Sequence, residues 1–329
     1  LWRTEFGFHN WYTRSAEFMQ PPFGAGGGDE NDWIDFTLGM YYTLLNCGFR
    51  MPPSAGTANG VHPVPAGFGR VYVHLPGGFD YRQWRKSLRA GRCFVTTGPM
   101  LMATADGQDP GHLFRIDGSD AGPIPVQIEV VSERPLSFGE IVIDGRPELL
   151  LRVQNQPTES GAYRSVITHS LTLQHSGWFA VRFWEHREGR TRFVHSAPWY
   201  VQRDGQPVRP RQAEKRYLVE RMRDEIQRSR GVIAAAAIEE YEAGLRHYQS
   251  LPVRDDQAEV ERNARPLSDA GQRQRWLENM IVHHRFTPEE VRQATGMSID
   301  EASAAVTRLR PADSPTGGAA SPELKILPY

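Results

Sequence analysis

Apolar and polar positions alternate with two different periods along this chain, and the change of period divides it. From Trp33, apolar residues recur at helical spacing through Leu38, Tyr41, Tyr42 and Leu45, and Gly48 supplies a left-handed stop. Arg70–Leu75 alternates as a half-covered strand, with Val71 and Val73 opposed to Tyr72 and His74. Asp80 caps a short helix to Ala90 on which Tyr81, Trp84 and Leu88 share a face. Gly91 stops it, and a strand follows at Cys93–Thr96, ended by Gly98-Pro99.

Between residues 112 and 202 the period is two. Val126, Ile128 and Val130 alternate, and Ile141 and Ile143 lead into an Asp144-Gly145 turn. Further runs follow at Leu149–Val153, Val166–Leu173, Trp178–Trp184 and Phe193–Val201. About seven short, turn-separated strands predict an antiparallel, Ig-like β-sandwich with Trp178, Phe179, Val181 and Phe183 in its core. It either braces a neighbouring domain, the plainer reading, or presents aromatics to a ligand.

Residues 203–252 return to the helical period as a hairpin. Leu218, Met222 and Ile226 form one stripe, Ile238, Tyr241, Leu245 and Tyr248 the other, and Gly231 is the joint. A polar linker spans 253–269. Residues 270–310 predict a small helix-turn-helix-like bundle. Thr287-Pro288-Glu289-Glu290 opens one helix, Gly296 closes it, and Ser298-x-x-Glu301 opens the next. A DNA reader of this outline would place Ile299, Asp300 and Glu301 on base edges, and two carboxylates there oppose phosphate, so packing or docking is the better reading. A Pro/Ser/Gly-rich tail fills 311–329.

Composition narrows the function classes. The 329 residues carry 38 Lys+Arg against 39 Asp+Glu, a formal charge of −1, which argues against bulk nucleic-acid or anionic-membrane binding. No run approaches the roughly 20 apolar residues that cross a bilayer. Cys47 and Cys93 fall in apolar elements and read as buried free thiols. His169, His175, His186 and His195 are scattered without ligand spacing. Arg85, Lys86, Arg89 and Arg92 gather at a helix C-terminus, where the dipole favours cations; a solvated face is the plain reading and anion binding the alternative. Gly24–Gly28 lacks the strand and Lys-Ser/Thr of a phosphate loop and reads as a flexible loop.

Three phrases carry a family resemblance: LLNCGFRMPPSAGT at 44–57, GRVYV at 69–73 and LRAGRCFVTTGPML at 88–101, with HSAPWYV at 195–201 as a weaker fourth. Together they resemble the C-terminal half of the CehA/McbA group of PHP-type (polymerase-and-histidinol-phosphatase-like) metallohydrolases, closely over 36–102 and more weakly to 201. The resemblance implies a multidomain chain: the C-terminal part of a PHP-like α/β barrel at 1–111, the sandwich at 112–202 and the helical C-terminal tail. It implies an enzyme that uses a divalent metal to hydrolyse an ester, phosphoester or carbamate. Most metal ligands, including an opening His-x-His that this sequence lacks, would lie upstream of the matched part. The chain is therefore expected to be a fragment, inactive alone, binding no metal by itself. Compartment is not legible.

Where the family tends to read Gly-Thr-Asp, this chain has Gly56-Thr57 followed by Ala58 and Asn59. Alanine offers a cation no oxygen, and an amide lacks the carboxylate's charge. Either His62 substitutes, or the position no longer binds metal. His9 is a weaker ligand candidate. Arg50 would pair an anionic substrate group, and Thr57 or Asn59 would hydrogen-bond substrate or water. The competing function is a non-catalytic scaffold that docks a protein partner through the sandwich and helical tail.

Overall fold

A computed structural model describes residues 30–57, 66–118, 122–187, 190–254, 270–283 and 286–309. The chain divides into two compact units, 1–254 and 255–329.

The first unit opens with helix α1 (Glu30–Asn46), followed by β1 (Arg70–Val73), α2 (Tyr81–Arg89), β2 (Cys93–Thr96), β3 (Met100–Ala105) and β4 (Leu113–Ile116). Then come β5 (Ile124–Ser132), β6 (Phe138–Ile143), β7 (Arg146–Leu151), the two-residue β8 (Gln156–Pro157), β9 (Tyr163–Leu171), β10 (Gly177–Arg187), β11 (Arg190–Ser196) and β12 (Trp199–Arg203). A hairpin of α3 (Gln212–Ser229) and α4 (Ala235–Ser250) closes the unit. Gly231 joins the two helices at φ +81°, a conformation glycine adopts without steric cost.

The strands form an eight-stranded sheet ordered β1-β2-β11-β10-β12-β4, with β6 and β7 on the other edge of β10, and a four-stranded sheet ordered β3-β5-β9-β8. The two face each other over one apolar core. Val126, Ile128 and Val130 supply the smaller sheet's side, and Ile141, Phe179, Val181, Phe183, Val194, Trp199 and Val201 the larger's. Neither sheet closes into a barrel among the described residues. The stretch that carries the family resemblance gives the larger sheet β1, at its edge, and β2 beside it. They pair antiparallel although α2 lies between them, and β2 continues onto β11. The boundary expected near residue 112 thus falls inside one unit.

The period-two pattern reads correctly along β10, but its four aromatics split between two cores. Phe179, Val181 and Phe183 face the smaller sheet, whereas Trp178, Ala180 and Trp184 face the other way, onto Ile34, Leu38, Tyr42 and Leu45 of α1. The opposite side of α1, through Met40, Leu44 and Cys47, meets Tyr217, Leu218, Tyr248 and Leu251 of the hairpin. Helical hairpin, α1, large sheet and small sheet are therefore successive layers.

The run Phe193–Val201 is broken. β11 pairs with β10 in one register (Phe183↔Val194) and β12 in another shifted by one residue (Phe179↔Trp199), with Ala197-Pro198 as the extra length. Such a bulge reverses which side of a strand is inward. It brings even-numbered Val194 and odd-numbered Trp199 to the same core, where Trp199 stacks on Phe179 at 5.3 Å.

Helix α2 starts where expected. Asp80 caps it, accepting from Gln83 N at 2.8 Å, but its buried residue is Ser87, while Tyr81 is 61% exposed. Strands β3 and β4 went unforeseen.

The second unit holds α5 (Ala270–Glu278), a π-helical turn (Asn279–His283), α6 (Pro288–Thr295) and α7 (Ile299–Leu309). Leu277, Met280, Ile281, Val291, Ala302 and Ala305 form its core. Its caps are those expected. Thr287 and Glu290 exchange bonds, Gly296 turns at φ +72°, and Ser298 with Glu301 opens α7, leaving Asp300 and Glu301 exposed. No described helix is long and apolar enough to cross a membrane.

Candidate functional site

The loop after α1 carries the sequence-nominated residues. Its path is fixed from beneath. Tyr41 donates its hydroxyl to Met51 O at 2.6 Å, the Cys93 thiol lies 3.8 Å from Pro53 O, and Thr57 Oγ1 accepts from Gly69 N at 2.9 Å. Arg50 is exposed, its guanidinium 5.3 Å from the centre of the Tyr200 ring, and it has no carboxylate partner among the described residues. The loop therefore holds up one oriented, uncompensated cation. Thr57 thereby links the loop to the backbone at Gly69. Asn59, His62 and His9, with Ala58, lie outside the described residues.

A second concavity opens on the opposite side of β2. The large sheet extends past β3, the edge strand of the small sheet, so β1 and β2 overhang a cleft of about 370 Å³. Tyr72 and Phe94 form its aromatic roof, stacked at 5.2 Å and 14°, and Leu101, Met102 and Ala103 form its floor. The rim is polar. His74 Nδ1 donates to Asp109 at 3.0 Å, and Arg92 Nε lies 3.9 Å from the same carboxylate. Sequence reading used His74 only for its strand phase and passed over Asp109, which reaches it across 35 positions.

Two polar clusters lie between the layers. In one, Tyr42, His195, Arg182 and Glu140 are linked: Arg182 Nε donates to Glu140 at 2.6 Å, as does Trp184 Nε1 at 3.0 Å. The other centres on Asp144, which turns the β6–β7 hairpin at φ +49°. Its carboxylate accepts from Trp178 N (2.9 Å), His175 Nε2 (2.8 Å) and Arg254 (2.8 Å), while its carbonyl accepts from Asn46 (3.0 Å) and Arg211 (2.8 Å). Burial alone would raise the Asp144 carboxyl, but the His175 bond, the charges of Arg254 and His175 and the Trp178 amide hold it below its ordinary value. Both clusters tie layers together and neither lines the cleft. Each was hidden in sequence because its members are far apart along the chain.

The described residues do not suit a metal. No group of three or more His, Cys, Asp or Glu among them is placed to share an ion. Cys47 and Cys93 are free and buried, and burial pushes each thiol up to about 12, far from thiolate.

No family model, curated protein or solved structure matches the chain.

Proposed function

We propose that this chain serves a metal-dependent hydrolase of the CehA/McbA type, acting on an ester, phosphoester or carbamate. In this reading residues 36–102 border the PHP-like domain and the two facing sheets are the Ig-like sandwich that braces it. Arg50 recognises an anionic group of the substrate. The observation that carries the reading is the position of Arg50: exposed, steadied by Tyr200 and unpaired among the described residues. A guanidinium so placed suits a phosphate or carboxylate oxygen pair. Because the described residues do not fit a metal, no chemical step is assigned to them; ligation falls to sequence that the resemblance places upstream.

The test is metal analysis and hydrolysis of bis(p-nitrophenyl) phosphate by the whole gene product and by this chain alone, with and without chelator. The reading expects metal and chelator-sensitive turnover in the former and neither in the latter. Arg50→Met should raise KM roughly tenfold to a hundredfold, the worth of a charge-assisted hydrogen bond. A whole product with neither metal nor turnover overturns the reading.

The cleft favours a second reading, a non-catalytic binding module. Its volume, apolar walls and few convergent polar groups suit a small aromatic ligand. Saturable binding of an anilinonaphthalene dye that Met102→Asp abolishes would support it; binding unchanged by that substitution would count against it.

A further inference from the structure

The segment from Gly77 to Arg89 gathers aromatic rings and cations on one exposed surface. Phe79, between the Leu75–Gly78 turn and α2, is 80% exposed, and Tyr81 stacks on Trp84 with ring planes 8° apart. At about 100° per residue, Arg82, Arg85, Lys86 and Arg89 form a continuous arc about 100° wide on the side of α2 away from Ser87. All four are exposed, and none has a carboxylate partner among the described residues. The nearest acid in sequence, Asp80, is occupied with its cap. The chain's charge of −1 is thus unevenly spread, and α2 itself carries four cations and no acid.

We infer that this surface docks on a bilayer leaflet containing anionic phospholipid, with Phe79 entering the headgroup region and the arc of cations meeting lipid phosphates. A single-stranded nucleic acid shares the phosphate chemistry but needs open ring faces in series. Tyr81 does not offer one, being flanked by Trp84 at 6.3 Å and by the Arg85 guanidinium at 5.9 Å. Phe79 alone is a wedge rather than a stacking track. A near-neutral total charge disfavours a membrane surface, but the cations of α2 are gathered locally on one arc.

The test is co-sedimentation of the 329-residue chain with vesicles of phosphatidylcholine alone and of phosphatidylcholine with phosphatidylserine. Binding should require the anionic lipid and weaken as salt is raised. Each basic residue contributes about fivefold, so the variant carrying Arg82→Gln, Arg85→Gln, Lys86→Gln and Arg89→Gln should lose at least about a hundredfold. Phe79→Ser should lose roughly tenfold at any salt concentration. The sites are exposed, so thermal midpoints should not move; if the fourfold variant fails to fold, Phe79→Ser decides alone. Equal binding to both vesicles, undiminished binding by either variant, or tighter binding to an oligothymidine than to anionic vesicles would each overturn the inference.

Discussion

The Tyr42 hydroxyl on α1 donates to Nε2 of His195 on β11 over 2.7 Å in a fully buried setting. The direction is forced. The other ring nitrogen lies 2.6 Å from Ser196 O, a carbonyl that only accepts, so Nδ1 carries the proton. Burial brings the imidazole's pKa from 6.5 down to about 3, with the Ser196 bond opposing and the Arg182 charge assisting, so at neutral pH the ring is neutral and Nε2 accepts.

Stability should therefore fall on acidification. Between about pH 6.5 and pH 3 the unfolded chain protonates this histidine and the folded one does not, so unfolding takes up a proton. Stability present above 6.5 is lost at up to about 1.4 kcal/mol per pH unit. Urea titrations from neutral to mildly acidic pH check this, and His195→Gln should flatten the dependence in that window. Tyr42→Phe, which leaves Nε2 unsatisfied, should cost about 1–3 kcal/mol at neutral pH.

Asp144→Asn should cost about 1–3 kcal/mol by removing the charge to which His175 and Arg254 bond. Asparagine tolerates φ +49°, so the loss would report charge rather than backbone. The carboxyl's folded pKa is lowered, so its contribution is present above about pH 4, where unfolded aspartate ionises, and disappears as pH falls through the folded value. Urea unfolding at neutral pH measures the first effect and acid titration the second.

Gly139→Ala tests the packing of the two sheets. A methyl there would collide with the buried Phe183 ring, which has no free volume to move into. Overpacking of this kind costs about 1–3 kcal/mol, read as a lower urea midpoint.

Cys47 and Cys93 should resist Ellman's reagent in the native protein, because burial holds both thiols near 12. Modification should appear only on unfolding, with the urea dependence of the global transition. Fast labelling of either thiol without denaturant would contradict the layer order.

Much of the scaffold was legible. Leu38, Tyr42 and Leu45 do form the inward stripe of α1, Asp80 does cap α2, and Thr287 with Glu290 does open α6. These signals are local, set by helical period and capping chemistry. Strand β3 was hidden because MLMATA lacks β-branched alternation and follows Gly98-Pro99, which mark a crossing between sheets rather than an end. Strand β4 is four residues long and owes its extension to parallel pairing with β12, some 87 positions away at Tyr200↔Leu113. Period alone puts Tyr81, Trp84 and Leu88 on one face of α2 but cannot tell a core stripe from a surface stack, and Tyr81 is exposed. Of the nominated site residues, Arg50 is placed where it could meet a ligand and Thr57 links its loop to the backbone at Gly69. The cleft and its His74–Asp109 rim had no sequence signature, since an overhang exists only once two sheets of unequal width are superposed.

The bulge at Ala197-Pro198 limits how this gene can change. Removing one codon between Ser196 and Trp199 would let β11 run into β12 in a single register that still sets Trp199 opposite Phe179, whereas removing two would turn Trp199 and Val201 out of the interior and Tyr200 and Gln202 into it. Length variants at this point should survive by parity, so an allele that loses one residue here should be tolerated where one that loses two is not.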